Sequence, residues 1–283
     1  MRRRSVCGTL LLALLSVLVL FPVIYTVCSA FMSNREILYY YGSLVTEEAG
    51  EGRWLPFHLI PDAFSLDAFY QILLRRPDYL IKFWNSLFLT GVIVLGQLAL
   101  SCLAGYGFSK RRFPASQVLF VLIVILMLMP YQVTLVSNYI VLNAAGLIGS
   151  YLSVILPGIF APFGVFWMRQ VMDGIPDDIL EAAALDGAGQ MRILCQVVVP
   201  AAKGGLVSLI ILSFVDNWNM VEQPLVFLKD RTKYPLSIFL SQINAQTLGA
   251  AFASGLLAML PVALLFAFFQ EELAEGISLT GRR

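Results

Sequence analysis

The sequence predicts an all-α polytopic membrane protein with six transmembrane helices, on three observations. Apolar residues fill 59% of the 283 positions and charged ones only 13%, and mean hydropathy is +0.80, which leaves too little polar surface for a water-soluble domain. The apolar residues fall in long runs, with Lys and Arg gathered in short stretches between them such as Lys110-Arg111-Arg112. One charged island, Ile175 to Pro200, stands apart from the runs.

The first run, Val6 to Phe31, follows Arg2-Arg3-Arg4. It is too long for the core of a signal peptide and shows no small-x-small cleavage pattern. It crosses a hydrocarbon layer of ~30 Å with length to spare, with its N-terminus inside by the positive-inside rule. Ser33 to about Lys82 is the longest polar stretch and is placed outside; its insert at 47–52 reads as a mobile loop. The only histidine, His58, falls here, and a lone histidine in an outer loop is expected to be solvated.

Helix two spans about Asn85 to Phe108, and the basic triplet after it fixes a cytoplasmic turn. Helix three spans Gln117 to Ile140, with Pro130 permitting a bend near its centre. Helix four spans Tyr151 to Val171 and contains Pro157 and Pro162. Helix five covers 204–222 and meets Asp216 in its outer third. An acid at membrane depth points to a cavity or pathway; the other reading puts Asp216 near the outer interface with Trp218 as a headgroup anchor. Lys229 to Gln246 is an outer segment. Helix six runs from Leu248 to Phe269, and Ala250, Ala251, Ser254 and Gly255 give it faces for close packing. Eleven of the nineteen Lys and Arg then lie inside, as do both termini.

This topology places the island in the cytoplasm. Pro176 can open a helix there, since its missing N–H has no partner in a first turn, and early acids suit the positive helix end. Ile179, Leu180, Ala183 and Ala184 fall on one side at helical spacing. Gly187 suits a left-handed stop, and a second short helix from Gly189 to Val199 is closed by Pro200.

Glu181-Ala182-Ala183, then Asp186-Gly187-Ala188, then Pro200 resemble the EAA loop of binding-protein-dependent ABC importer permeases. Ser65 to Tyr70 with Asn85-Ser86, Phe113-Pro114, and Glu275 to Gly281 are also similar to that family. Trp218-Asn219 followed by Gln223-Pro224-Leu225 resembles its maltose-type carbohydrate members. Two positions depart from the pattern. Leu194 stands where an aromatic is common, a change expected to tune the fit to the ATPase, and Asn217 stands where Gly or Ser is usual.

The resemblance implies one permease domain over 1–283, with a cytoplasmic EAA-type coupling loop at 173–200 between helices four and five. The partners it implies are an ABC ATPase dimer, a second homologous permease, an extracytoplasmic sugar-binding protein and membrane lipid. It implies alternating access in a bacterial or archaeal inner membrane. Glu181, Ala182, Ala183, Asp186, Gly187, Ala188 and Pro200 would carry the coupling contact, with the alanines allowing close seating and Glu181 or Asp186 meeting a basic group. Gln132, Asn138, Asn217 and Asn219 are candidate pathway residues whose amides can bond hydroxyls; polar helix–helix contacts explain them as well.

The sequence excludes several classes. It has no phosphate loop of the G-x-x-x-x-G-K-[ST] type, no H-E-x-x-H and no G-x-S-x-G, so ATP hydrolysis is expected on a separate subunit and no catalytic residue or cofactor is assigned. The net charge of +1 argues against nucleic acid. Cys7, Cys28, Cys102 and Cys195 are scattered, suggesting neither a metal site nor disulfides, and are expected to pack as small hydrophobes. Glycerol-phosphate-type solutes are the near alternative to sugars. An ion-driven secondary transporter is the more distant one, since Asp216 is nearly the only acid at membrane depth and no internal repeat is visible.

Overall fold

The computed structural model describes residues 6–41, 58–75, 77–241 and 248–280, which are mostly helical with no strand among them. Arg2-Arg3-Arg4, the insert at 47–52, and Arg282-Arg283 lie outside the described residues.

In chain order the helices are α1 (Val6–Ala30), α2 (Asn34–Tyr41), α3 (Asp67–Tyr70) and α4 (Pro77–Lys110). Next come α5 (Ser116–Leu128), α6 (Tyr131–Ala144), α7 (Leu152–Ile159) and α8 (Pro162–Asp173). The island holds α9 (Asp177–Leu185), α10 (Gln190–Ile193) and α11 (Val199–Ala201). The last are α12 (Lys203–Trp218), α13 (Glu222–Phe227), α14 (Leu236–Ser241) and α15 (Leu248–Thr280). Four stretches are long and apolar enough to cross a membrane: Gly8–Ala30, Asp78–Lys110, Leu152–Asp173 and Leu248–Glu272. Two bent pairs bring the number to six if each is one span.

The bends are sharper than the sequence predicts. Expected helix three is two helices, α5 and α6, meeting at 105°. Pro130 cannot donate to Leu126, and it forces the residue before it out of the helical region: Met129 is extended at φ −70° and ψ 133°. Pro162 divides helix four in the same way, with Ala161 at φ −109° and ψ 105°. Helix five ends at Trp218, and α13 follows after a short break. Pro200, expected to close the island's second helix, lies inside it. The turn before it, Leu194–Val198, widens to π-helix, because Pro200 has no N–H to offer the carbonyl of Gln196. The 80° bend between Gln190–Ala201 and α12 comes at Ala202. Helix six runs on past Phe269 to Thr280, since the helix formers after Gln270 continue it.

The chain divides into two compact units, Met1–Phe83 with Phe239–Leu260, and Trp84–Ile238 with Pro261–Arg283. In the first, Met32, Ile37 and Tyr41 form a small core with Tyr25 and Phe252. The large side chains of α1 from Leu10 to Ile24 are mostly exposed, as an apolar helix facing lipid requires. Of the two α15 glycines in this unit, Gly249 leaves no room for a Cβ beside Asn34, whereas Gly255 has only a loose neighbour in Thr26.

The second unit packs around two clusters. One joins Leu89, Ile93, Leu142, Val154, Ile155 and Phe227. Here α4 and α7 meet closely, and a Cβ on Gly96 would stand 2.5 Å from Ile159. Asn85, at the family-like Asn85-Ser86 pair, donates to the carbonyls of Thr232 (2.7 Å) and Tyr234 (3.2 Å), and Ser86 Oγ accepts the Leu236 N–H at 2.7 Å. The segment after α13 is thereby tied to α4. Asp230 caps its short turn, and the backbone N–H of Thr232 holds the Asp230 carboxyl below the usual carboxylate range. The other cluster carries the island.

Candidate functional site

The island is a rigid hook on a hydrophobic base. Tyr106, Met168, Met172, Ile175, Ile193, Leu194, Val198, Ala202 and Leu209 are buried together, and Leu180, Ala183 and Ala188 pack on them. The expected apolar side of α9 is therefore split: Leu180 and Ala183 face the core, while Ile179 and Ala184 are exposed. Leu194 is 3% exposed in this cluster. It cannot tune contact with another subunit, so its departure from the family's aromatic is a matter of internal packing.

Two features hold the hook's shape. Gly187 adopts φ +83°, the Gly187 N–H donates to Ala184 O (3.0 Å), and the Ala188 N–H donates to Ala183 O (3.1 Å). This pair of bonds is the Schellman closure of a helix, satisfying carbonyls that its last turn leaves free. At the other end, Lys110 closes α4, and its side chain is 6% exposed. It donates to Ile175 O at 2.6 Å and to Asp177 Oδ1 at 2.7 Å. Tyr106 Oη also donates to Gln190 Oε1, at 2.9 Å. Sequence reasoning took Lys110 only as a topological charge; its partners are 65 and 67 positions away, beyond any local signal.

The outward surface has a definite composition. Glu181, Ala182, Asp186, Gly187 and Pro200 are exposed, and Ala183 and Ala188 are half-buried beneath them. Leu185, beside Asp186, is 89% exposed. Of the alanine pair only Ala182 is free to seat against another surface. Acid, small residue and bare leucine together make a face that both a basic group and an apolar cleft can take.

The helix breaks line two adjoining cavities whose walls mix amide and apolar side chains. One, of ≈ 560 Å³, is bounded by Tyr131, Gln132, Asp216, Asn217, Asn219 and Gln223. The other, of ≈ 580 Å³, shares Tyr131, Asp216, Asn217 and Gln223 with it and reaches Gln97, Asn138 and Pro162. All four candidate pathway residues thus line one or both. Asn217 and Asn219 each commit an amide N–H to their own helix, at Ser213 O (2.7 Å) and Val215 O (2.8 Å). Asp216 borders the cavities, which favours the pathway reading, and Trp218 is buried and stacked on Phe214 at 5.4 Å, so it is no headgroup anchor. Irregular backbone at membrane depth is tolerated where it lines such a space.

Gln97 was not expected. Its Nε2 donates to Gly158 O at 2.7 Å, the carbonyl that Pro162, four residues on, leaves without a donor. Its Oε1 is shielded and has no partner among the described residues, although Gln97 as a residue borders the second cavity. Replacing Gln97 by Leu should lower stability by roughly 1–3 kcal/mol, through the stranded carbonyl, and show as a lower melting temperature of the purified protein. An unchanged melting temperature would mean that the Gly158 carbonyl finds another donor.

Residues 97–278 match the model of the family described as binding-protein-dependent transport system inner membrane component. The chain belongs to this family. Over 276 residues the permease is 29% identical to the arabinooligosaccharides transport system permease protein AraQ of Bacillus subtilis (strain 168), covering 96% of this chain and 94% of that one. It is 26% identical to the maltodextrin transport system permease protein MdxG of the same organism, covering 99% and 96%. Its fold matches a solved bacterial ABC transporter involved in the import of the acidic polysaccharide alginate, with a TM-score of 0.78 at 20% identity, covering 96% of this permease and 99% of that chain. The permease is thus a multi-pass inner-membrane component of an ABC transporter.

Proposed function

We propose that this permease translocates a carbohydrate, delivered by an extracytoplasmic binding protein, and that ATP hydrolysis on a separate subunit drives it. The observation that carries the proposal is the pairing of an anchored, outward-facing Glu181–Gly187 hook with amide-bearing cavities at three helix breaks. A carbohydrate suits the cavities, because Gln132, Asn138 and Tyr131 offer amide and phenol groups to hydroxyls. The sugar-transport names of AraQ and MdxG support the same class of solute.

In this reading the chain is one six-span domain with both termini inside; α5 with α6 forms one bent span, and α12, without the island helices, forms another. The hook at 173–200 lies in the cytoplasm and seats on an ATPase dimer shared with a second, similar permease. Glu181, Ala182, Asp186 and Gly187 make the contact, with Pro200 at the hook's far end; Ala183 and Ala188 fix its inner side. Closure of the ATPase dimer on ATP moves the hook. Because the hook is bonded to α4 and packed on α8 and α12, the movement passes to the helices that line the cavities. A coupling element shifts an equilibrium only by its differential contacts in two states, so rigidity at this point is what the device needs.

The test is purification in gentle detergent with partners retained. An ATPase and a second permease should co-purify, sugar with its binding protein should stimulate hydrolysis, and Asp186→Cys should cross-link to the ATPase. A chain recovered without any ATPase would overturn the proposal and favour ion-driven transport.

A further inference from the structure

Neither the hook nor the cavities use Glu36, His58 and Asp62, which meet in the first compact unit. Glu36 lies in the first turn of α2 with its side chain only 7% exposed. His58 Nε2 is 3.3 Å from Glu36 Oε1 and 3.4 Å from Asp62 Oδ1. That nitrogen is shielded from solvent and makes no hydrogen bond to either oxygen.

Each group is held in place from behind. The Tyr40 ring stacks on the imidazole with centroids 4.1 Å apart, and Tyr41 Oη donates to the His58 carbonyl. The Asp62 N–H donates to Glu36 Oε1 at 2.8 Å, and the Glu36 N–H is met by Ser33 Oγ. The three ligand atoms lie within 4.8 Å of one another.

A buried carboxylate needs a positive partner. A charged imidazole would serve by donating along a bond of about 2.7–2.9 Å, but these separations are longer and the geometry of a hydrogen bond is not met. They do match another arrangement. Ligand atoms bound tetrahedrally at about 2.0–2.1 Å from a zinc ion stand about 3.3–3.4 Å apart. One imidazole nitrogen and two carboxylate oxygens are a ligand set that zinc accepts, with the fourth position left to water.

We infer that Glu36, His58 and Asp62 form a divalent-cation site selective for zinc-type ions. The ion joins α2 to the segment that begins at His58. His58 is thereby a ligand rather than the solvated loop histidine that its position in the sequence predicts.

The test uses the full-length protein with its co-purifying partners, dialysed against Zn2+ or Co2+ and assayed for bound metal. One ion per chain is expected, with Co2+ giving the visible absorption of a four-coordinate N/O site and no near-ultraviolet thiolate band. His58→Ala and Asp62→Asn should each weaken binding by at least about 10-fold to 100-fold. Asp62 is largely exposed and Asn preserves its shape, so this variant decides the matter if His58→Ala fails to fold. Absence of stoichiometric metal, unchanged binding in the folded variants, or a thiolate band would overturn the assignment.

Discussion

Gly187→Val is expected to reach the membrane in normal amount yet lose about 10-fold or more of sugar uptake, with hydrolysis no longer stimulated by the loaded binding protein. A Cβ at this position meets nothing within 4 Å, so crowding is not the cause. The cost lies in the backbone. At φ +83° a β-branched residue is strained by roughly 1–2 kcal/mol or more, comparable to a tenfold change in the hook's population. Relaxing that strain opens the bonds from Gly187 to Ala184 and from Ala188 to Ala183, and so redirects Asp186 and Leu185. Gly187→Asn, which tolerates the left-handed region, should keep most of the activity. Wild-type uptake by the valine variant, measured with a radiolabelled solute, would remove the hook from the coupling mechanism.

Lys110→Met should weaken coupling by a different route. The substitution keeps the aliphatic stem but strands the Ile175 carbonyl and frees Asp177. A hydrogen bond from a charged donor contributes about 1.5–3 kcal/mol when shielded, and the Ile175 bond is the shielded one. Asp177 is exposed, so Asp177→Asn should cost well under 1 kcal/mol. The expected order is therefore a large loss of sugar-stimulated hydrolysis in Lys110→Met and a small one in Asp177→Asn. Equal losses would mean that the ion pair, and not the carbonyl bond, secures the hook.

Both variants act on one object from its two ends. The valine disturbs the closure of α9, and the methionine loosens its tether to α4. If coupling needs a rigid hook, the two should share a phenotype although their side chains serve different purposes. Gln97→Leu, by contrast, is expected to act on the stability of the helix break at Pro162 and not on the seating of the hook.

The outline of the molecule was readable because it rests on local chemistry. Long apolar runs give helices that a bilayer can hold, and Asp-Gly after a short amphipathic run gives a left-handed stop; Gly187 has that conformation. The residues Glu181 to Ala188 and Pro200 could be marked as a unit because their spacing is fixed along the chain. Prolines were legible as disturbances but not in degree. Pro130 was expected to bend a helix and instead separates α5 from α6 by 105°. Pro200 was expected to end a helix and instead sits in its last turn. Propensity says that a proline lacks a donor; the fold determines which group makes up the loss.

The sequence by itself determined a helical membrane protein of the importer-permease family and the apolar character of its long helices. Tertiary structure alone decided the rest. It turned Leu180, Ala183 and Leu194 inward and left Glu181, Ala182, Asp186 and Leu185 outward. It brought Lys110 to Ile175, Gln97 to Gly158, and His58 to Glu36. The physical reason is range: periodicity and turn chemistry act over a few residues, whereas a stranded carbonyl or a buried charge is satisfied by whichever distant group the packing delivers.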